Sequence, residues 1–268
     1  MIANARMYAV TPQVEAAWRE LLAHICALAG VPLNYLPYPA PQPLEPLWQR
    51  ADIGAVLMCG YPIRLKIADV KPLAAPIPSM NWAHGKAVYR TDFIVRKDSD
   101  FKSLPDTFGH KLGWTVAHSH SGFNALRHHL LRYRTAQRAR LYGDVTGNLI
   151  TARAILDSVR EGRIDVGPLD AYWHHLLRQH QPDLVRNIRI LESSNVAPMP
   201  CFVASAAMSD TDAAKLKEAF CASSSMAWFS PLAERLSISG FANVDFDSYA
   251  LLQNWQEEAL RAGYDTPA

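Results

Sequence analysis

Three times in the middle of this 268-residue chain, a short apolar run breaks into a turn of small polar residues and a helical pattern follows. Leu112 to Val116 leads into His118-Ser119-His120-Ser121-Gly122, Leu141 to Val145 into Thr146-Gly147-Asn148, and Ile164 to Val166 into Gly167-Pro168-Leu169-Asp170. An earlier run, Ile53 to Met58, ends the same way in Cys59-Gly60-Tyr61-Pro62. Runs this short read as buried strands, and strands alternating with helices over short loops imply a parallel-type α/β sheet covered on both faces. Ligands of such sheets bind beyond the carboxyl ends of the strands, so these turns are where function is sought.

The richest turn follows Trp114-Thr115-Val116-Ala117. Phe123, Leu126 and Leu130, at spacings of three and four, predict a helix with Ser119 or Ser121 as its N-cap. The first N–H groups of a helix have no intrahelical partner, and the peptide dipoles add positive charge there, so the position suits an anion. A serine cap is by itself only structural, worth roughly 1 kcal/mol. Here His118, Ser119, His120, Ser121 and Asn124 put five hydrogen-bonding side chains around one helix start, more than capping requires. Neither GxGxxG nor GxxxxGK[ST] occurs, so the turn is not a nucleotide fingerprint. His118 and His120, at alternate positions of a turn, face different ways and are not expected to share a metal ion.

Composition removes several classes. With 49% hydrophobic and 19% charged residues and a net charge of +2, the chain is neither disordered nor a nucleic-acid-binding surface as a whole. No run of about 18 apolar residues offers a membrane span. The segment Arg127, Arg132, Arg134, Arg138 and Arg140, with His128 and His129, reads as the solvated face of a helix whose inner face is Leu126 and Leu130. His128-His129 and His174-His175 read as surface or interface pairs. Cys26, Cys59, Cys201 and Cys221 show no metal-ligand spacing; Cys26 and Cys221 read as core, and a disulfide rests on count alone. Residues 1 to 10 lack a secretory apolar region, which leaves a cytoplasmic protein or a processed, exported one.

Along the rest of the chain, Met7 to Val10 reads as a strand, and a helix from Pro12 carries Val14, Trp18, Leu21, Ile25 and Leu28 inward. Val88 to Arg96 alternates as a strand, and a helix with Ile150, Ala154, Ile155 and Val159 inward closes at Gly162. Later come a strand Cys201 to Ala204, a helix face of Leu216, Ala219 and Phe220, and another of Tyr249, Leu252, Trp255 and Leu260. Strand-like crossings near 88–96 and 188–204 flank the central α/β block, predicting one lobe from 1–90 with 193–268 and an inserted lobe from 91–192.

With these turns and crossings in place, the chain resembles the phosphate, phosphite and phosphonate substrate-binding proteins of ABC transporters. The likeness is carried by Met7-Tyr8, Cys59-Gly60-Tyr61-Pro62, Tyr89-Arg90 with Val95-Arg96, Ser119 to Arg127, Thr146-Gly147, Val159-Arg160-Glu161-Gly162-Arg163-Ile164-Asp165 and Asp170. It implies a type 2 periplasmic-binding-protein fold, two lobes with a ligand cleft between them, and a small anion, phosphonate-like or another organic anion, as ligand. By that resemblance Ser119, Ser121 and the N–H groups of Gly122 and Phe123 hold the head group, Tyr8 and Tyr61 line the other wall, and Tyr89 lies near the hinge. His118, His120, Asn124, Thr146, Asn148 and Asp170 complete the expected ligand set. The family's cleft histidine is missing from Thr146-Gly147-Asn148-Leu149-Ile150-Thr151, where Asn148, Thr151 or Arg153 is the substitute donor. The resemblance also implies an ABC permease as partner, a periplasmic location, and no cofactor or metal. The alternatives are a biosynthetic enzyme on the same fold, like those of thiamine and menaquinone pathways, and a transcription-regulator effector domain, for which the chain before Met7 leaves no helix-turn-helix.

Overall fold

The computed structural model describes all 268 residues, and their contacts divide the chain into two units. The first is Met1–Tyr89 with Pro198–Ala250; the second is Arg90–Ala197 with Leu251–Ala268. The chain therefore leaves the first unit beside Tyr89, and the last residues join the second unit, not the first as the sequence reading had it.

The first unit begins with β1 (Ile2–Asn4), α1 (Pro12–Ala29), β2 (Asn34–Tyr35), α2 (Glu45–Trp48), β3 (Ile53–Met58), α3 (Gly60–Arg64), β4 (Val70–Pro78) and β5 (Val88–Tyr89). The second unit follows with β6 (Thr91–Arg96), β7 (Lys111–Gly113), α4 (Ala125–Leu130), β8 (Asp144–Thr146), α5 (Ala152–Arg160), β9 (Val166–Asp170), α6 (Ala171–His180), β10 (Ile188–Ser193) and β11 (Ala197–Pro198). The chain returns through β12 (Cys201–Ser205), α7 (Asp210–Ala222), α8 (Phe229–Leu236) and β13 (Ile238–Asn243), and closes with α9 (Ala250–Arg261).

In the first unit the sheet order is β13-β4-β12-β3-β1-β2. Strands β2, β1 and β3 run parallel, while β12 is antiparallel to β3 and β4, and β13 to β4. Helix α1 starts because the Thr11 hydroxyl accepts from the Val14 N–H at 3.2 Å, with proline at its first position. Its inner stripe, Val14, Trp18, Leu21 and Ile25, is fully buried, each large side chain contributing about 1.5–3 kcal/mol, whereas Leu28 is exposed. Trp18 meets Phe202 of β12 edge-on at 5.8 Å.

In the second unit the order is β10-β6-β9-β7-β8, with β9, β7 and β8 parallel, β6 antiparallel to β9 and β10 antiparallel to β6. The core gathers Phe93, Leu112, Leu126, Leu130, Tyr142 and Val166. Tyr264 joins this core, which is why the tail belongs here: its hydroxyl and the Leu141 N–H both reach the Ala268 carbonyl, each at 2.9 Å.

Both sheets are thus mixed, and the parallel-type pairing predicted from alternating strands and helices is found among β2, β1 and β3 and among β9, β7 and β8. Several elements differ from the sequence reading. Met7 to Val10 is not a strand; β1 lies earlier, and Arg6–Tyr8 form a 3-10 turn. The Gly167-Pro168-Leu169-Asp170 segment is strand, because β6 pairs with it through Phe93 opposite Pro168 and Ile94 opposite Gly167. Ile150 precedes α5, half-exposed at φ +63°, and the Arg-rich segment leaves the helix after Leu130. Leu260 and Cys221 are exposed.

Candidate functional site

The second-unit candidates stand at or beyond the carboxyl ends of the three parallel strands β9, β7 and β8, with Thr146 and Asp170 as the last residues of β8 and β9. After β7 the chain does not enter an α-helix directly. Residues His120–Asn124 form a π-turn, in which the Asn124 N–H reaches the Ser119 carbonyl at 3.0 Å, and only then does α4 begin. Single π-turns of this kind recur at functional sites. Ser119 is the N-cap: its hydroxyl accepts from the Gly122 N–H at 3.1 Å. Gly122 lies against the buried Thr115 side chain, and a Cβ there would overlap the Thr115 hydroxyl. The Thr91 hydroxyl donates to the Ser121 carbonyl at 3.1 Å, and the Thr115 N–H to the Gly122 carbonyl at 3.2 Å, so β6 and the strand-end segment hold the turn from two sides. The Ser121 hydroxyl forms no hydrogen bond within the protein and is half-buried.

Behind the turn lies a feature that the sequence reading missed. Arg127 is 3% exposed, yet no carboxylate pairs with it. Its guanidinium donates to the Asn124 side-chain oxygen at 3.1 Å and the Asp265 carbonyl at 2.8 Å, and sits 5.0 Å from the Phe123 ring centroid. Its Nε is buried without a partner. A buried cation held only by neutral acceptors leaves positive potential beneath the turn, of the same sign as the helix-start dipole. The sequence signal was the three-residue spacing from Asn124 to Arg127, which puts both on one helix face.

Three expected ligand residues are occupied elsewhere. His120 is 1% exposed, with its ring 5.2 Å from Trp255 of α9, and burial pushes its pKa down to about 3, so it is neutral. Asn124 is wholly buried; its amide donates to the Leu252 carbonyl at 2.9 Å and its oxygen serves Arg127. The reason is the turn's geometry, which directs positions 120 and 124 inward toward α9. The Asp170 carboxylate caps α6, accepting from the Tyr172 and Trp173 N–H groups at 2.9 and 3.0 Å. His118 is half-buried, and Thr146 and Asn148 are exposed. The Trp114 N–H donates to the Thr146 carbonyl at 3.1 Å, joining this loop to the Ser turn, and Asn148 adopts φ +60°. Of the proposed substitute donors, Thr151 instead caps α5, and Arg153 pairs with Asp157 at 2.8 Å.

In the first unit, Tyr8 and Tyr61 follow the carboxyl ends of the adjacent parallel strands β1 and β3. Both are buried, at 1% and 3% exposure, and the Tyr8 hydroxyl is 4.0 Å from the Met199 sulfur. No group of three or more His, Cys, Asp or Glu side chains is placed to hold a metal ion. No helix is long and apolar enough to cross a membrane.

Two units, each with parallel strand ends feeding turns, define an α/β solute-binding fold, and the known structures agree. A binding protein component of an ABC phosphonate transporter from Pseudomonas aeruginosa superposes with a TM-score of 0.79 at 17% identity, over 98% of this chain and 87% of that one. PhnD1 from Prochlorococcus marinus, solved with methylphosphonate, gives 0.76 at 12% identity over 97% and 98%. A Xanthomonas citri protein bound to ATP gives 0.66 at 20% identity over 98% of each chain. No curated protein matches the chain in sequence. The family model for the periplasmic substrate-binding protein of phosphonate ABC transporters matches residues 9–249, and the chain belongs to that family. It is a solute-binding protein, and the biosynthetic-enzyme alternative finds no support.

Proposed function

We propose that this protein captures a small phosphonate-like organic anion, without chemical conversion, and delivers it to an ABC permease from the periplasm. The head group binds at the turn after β7, on the Ser121 hydroxyl and the N–H groups at the start of the π-turn, with Ser119 fixing the turn. The observation that carries this reading is Arg127, a buried guanidinium without an anionic partner, held by Asn124 and lying 5.0 Å from the Phe123 ring at the end of that turn. An anion bound in front of it supplies the missing charge. Methylphosphonate, held by the Prochlorococcus relative, is the first ligand to test.

Calorimetric titration with methylphosphonate, phosphate and acetate gives the test. Ser121→Ala should weaken binding by about 1–3 kcal/mol, the scale of a hydrogen bond to a charged acceptor, with the fold intact. Unchanged affinity for every anion removes the turn as the site. Cell fractionation of the tagged full-length protein checks the location.

A further inference from the structure

A second groove in the second unit takes no part in the site above. It runs beside α6 and the edge strand β10, has a volume of about 500 Å³, and is lined by His174, Arg178, Arg186 and Arg189 with Val185 and Ile188 among them. Its charge is unbalanced. Arg178 is exposed and has no carboxylate partner. The Arg189 guanidinium donates to the carbonyls of Ser99 and Phe101 and to the Ser99 hydroxyl, all neutral acceptors. Arg186 alone faces a carboxylate, Asp183 at 3.5 Å, in an exposed pair that water screens.

His174 is the one buried polar group of the lining, at 4% exposure. Its Nδ1 lies 3.0 Å from Asp92 Oδ2, while the Ser193 hydroxyl donates to Asp92 Oδ1 at 2.7 Å and Arg90 Nε lies 3.7 Å from it. Asp92 thereby fixes the ring and leaves Nε2 as the atom available to a ligand.

We propose that this groove is a second binding site, and that it takes a phosphate monoester with a small apolar body. The Asp92 carboxylate is taken up by His174, Ser193 and Arg90, so three guanidinium groups face one exposed carboxylate, Asp183; this calls for more negative charge than a carboxylate carries, and a phosphate monoester brings between one and a half and two charges near neutrality. A phosphate also matches His174 in either form: its P–OH donates to a neutral Nε2, and its dianion accepts from an imidazolium. Val185 and Ile188 supply contact for the apolar body.

The test is an amide and imidazole NMR titration of the whole protein with phenyl phosphate. The expected result is saturable shifts at His174, Ile188 and Ile190, with Arg178→Gln/Arg186→Gln raising Kd at those signals by about tenfold or more. These two side chains are on the surface, so the fold is retained. Signals from Ser119 to Phe123 report the other site separately, and either site can fail alone. The proposal falls if phenyl phosphate leaves the three signals unmoved, if the double variant binds as tightly, or if benzoate binds as well as phenyl phosphate.

Discussion

Two turns occupy corresponding places, one after β3 in the first unit and one after β7 in the second, and both leave a parallel strand for a helix. The first is closed. Gly60 rests against the Tyr249 ring, where a Cβ would overlap the aromatic carbons, Cys59 Sγ is 3.6 Å from the Tyr89 hydroxyl, and Tyr61, Pro62 and Ile63 are buried. The second keeps the Ser121 hydroxyl unspent, caps Gly122 with Ser119, and has a buried, unpaired Arg127 behind it. The same backbone device therefore yields a packed apolar support in one unit and an electropositive donor set in the other. The strand end fixes where a turn lies; its side chains and the helix behind it decide whether it binds.

Acid should separate the two units most strongly. His120 and His129 both belong to the second unit, and burial, the leading cause for each, pushes both to about 3 from 6.5. Unfolded chains then bind more protons than the native state between those values, so stability is complete above pH 6.5 and falls progressively toward pH 3. Each imidazole contributes on the order of a few kcal/mol. Hydrogen exchange followed by NMR should show second-unit amides losing protection first as pH falls, and His120→Gln should narrow the gap. Simultaneous loss in both units breaks the comparison.

Next in size is Trp255→Ala. The Trp255 ring stacks on His128 at 4.5 Å and on His120 at 5.2 Å, and is 6% exposed. Its removal should cost about 3–5 kcal/mol in urea unfolding and loosen the π-turn. Smaller still is the pair Gly60→Ala and Gly122→Ala, each an overpacking change of about 1–3 kcal/mol against a buried side chain. The two should lower melting temperature comparably, but only Gly122→Ala should also weaken anion binding in calorimetry. Equal effects on binding would move ligand contact into the first turn as well.

Much of the fold was legible because local chemistry dictated it. Ile53 to Met58 is uniformly apolar and too short for a helix, and Thr11-Pro12 before a stripe at helical spacing starts α1. A serine cap at the helix start was likewise readable as Ser119 or Ser121, and the structure uses Ser119. Less legible were β9, where Gly167-Pro168 carries turn residues that cross-strand pairing overrides, and Ile150, whose apolar side chain fits a helix face that the backbone never reaches.

What the sequence determined by itself was part of the strand set, Ile53 to Met58 and Cys201 to Ala204 among them, and the donors in the turn after β7, because these follow from spacing and from side chains acting on their own neighbours. The tertiary structure alone decided which of those donors remain for a ligand. His120 and Asn124 are drawn inward by Trp255 and the Leu252 carbonyl, more than a hundred positions along the chain, and Arg127 loses its place on the surface to the Asp265 carbonyl. Burial and charge balance are sums over all neighbours in space, and no local window of sequence contains the residues that complete them.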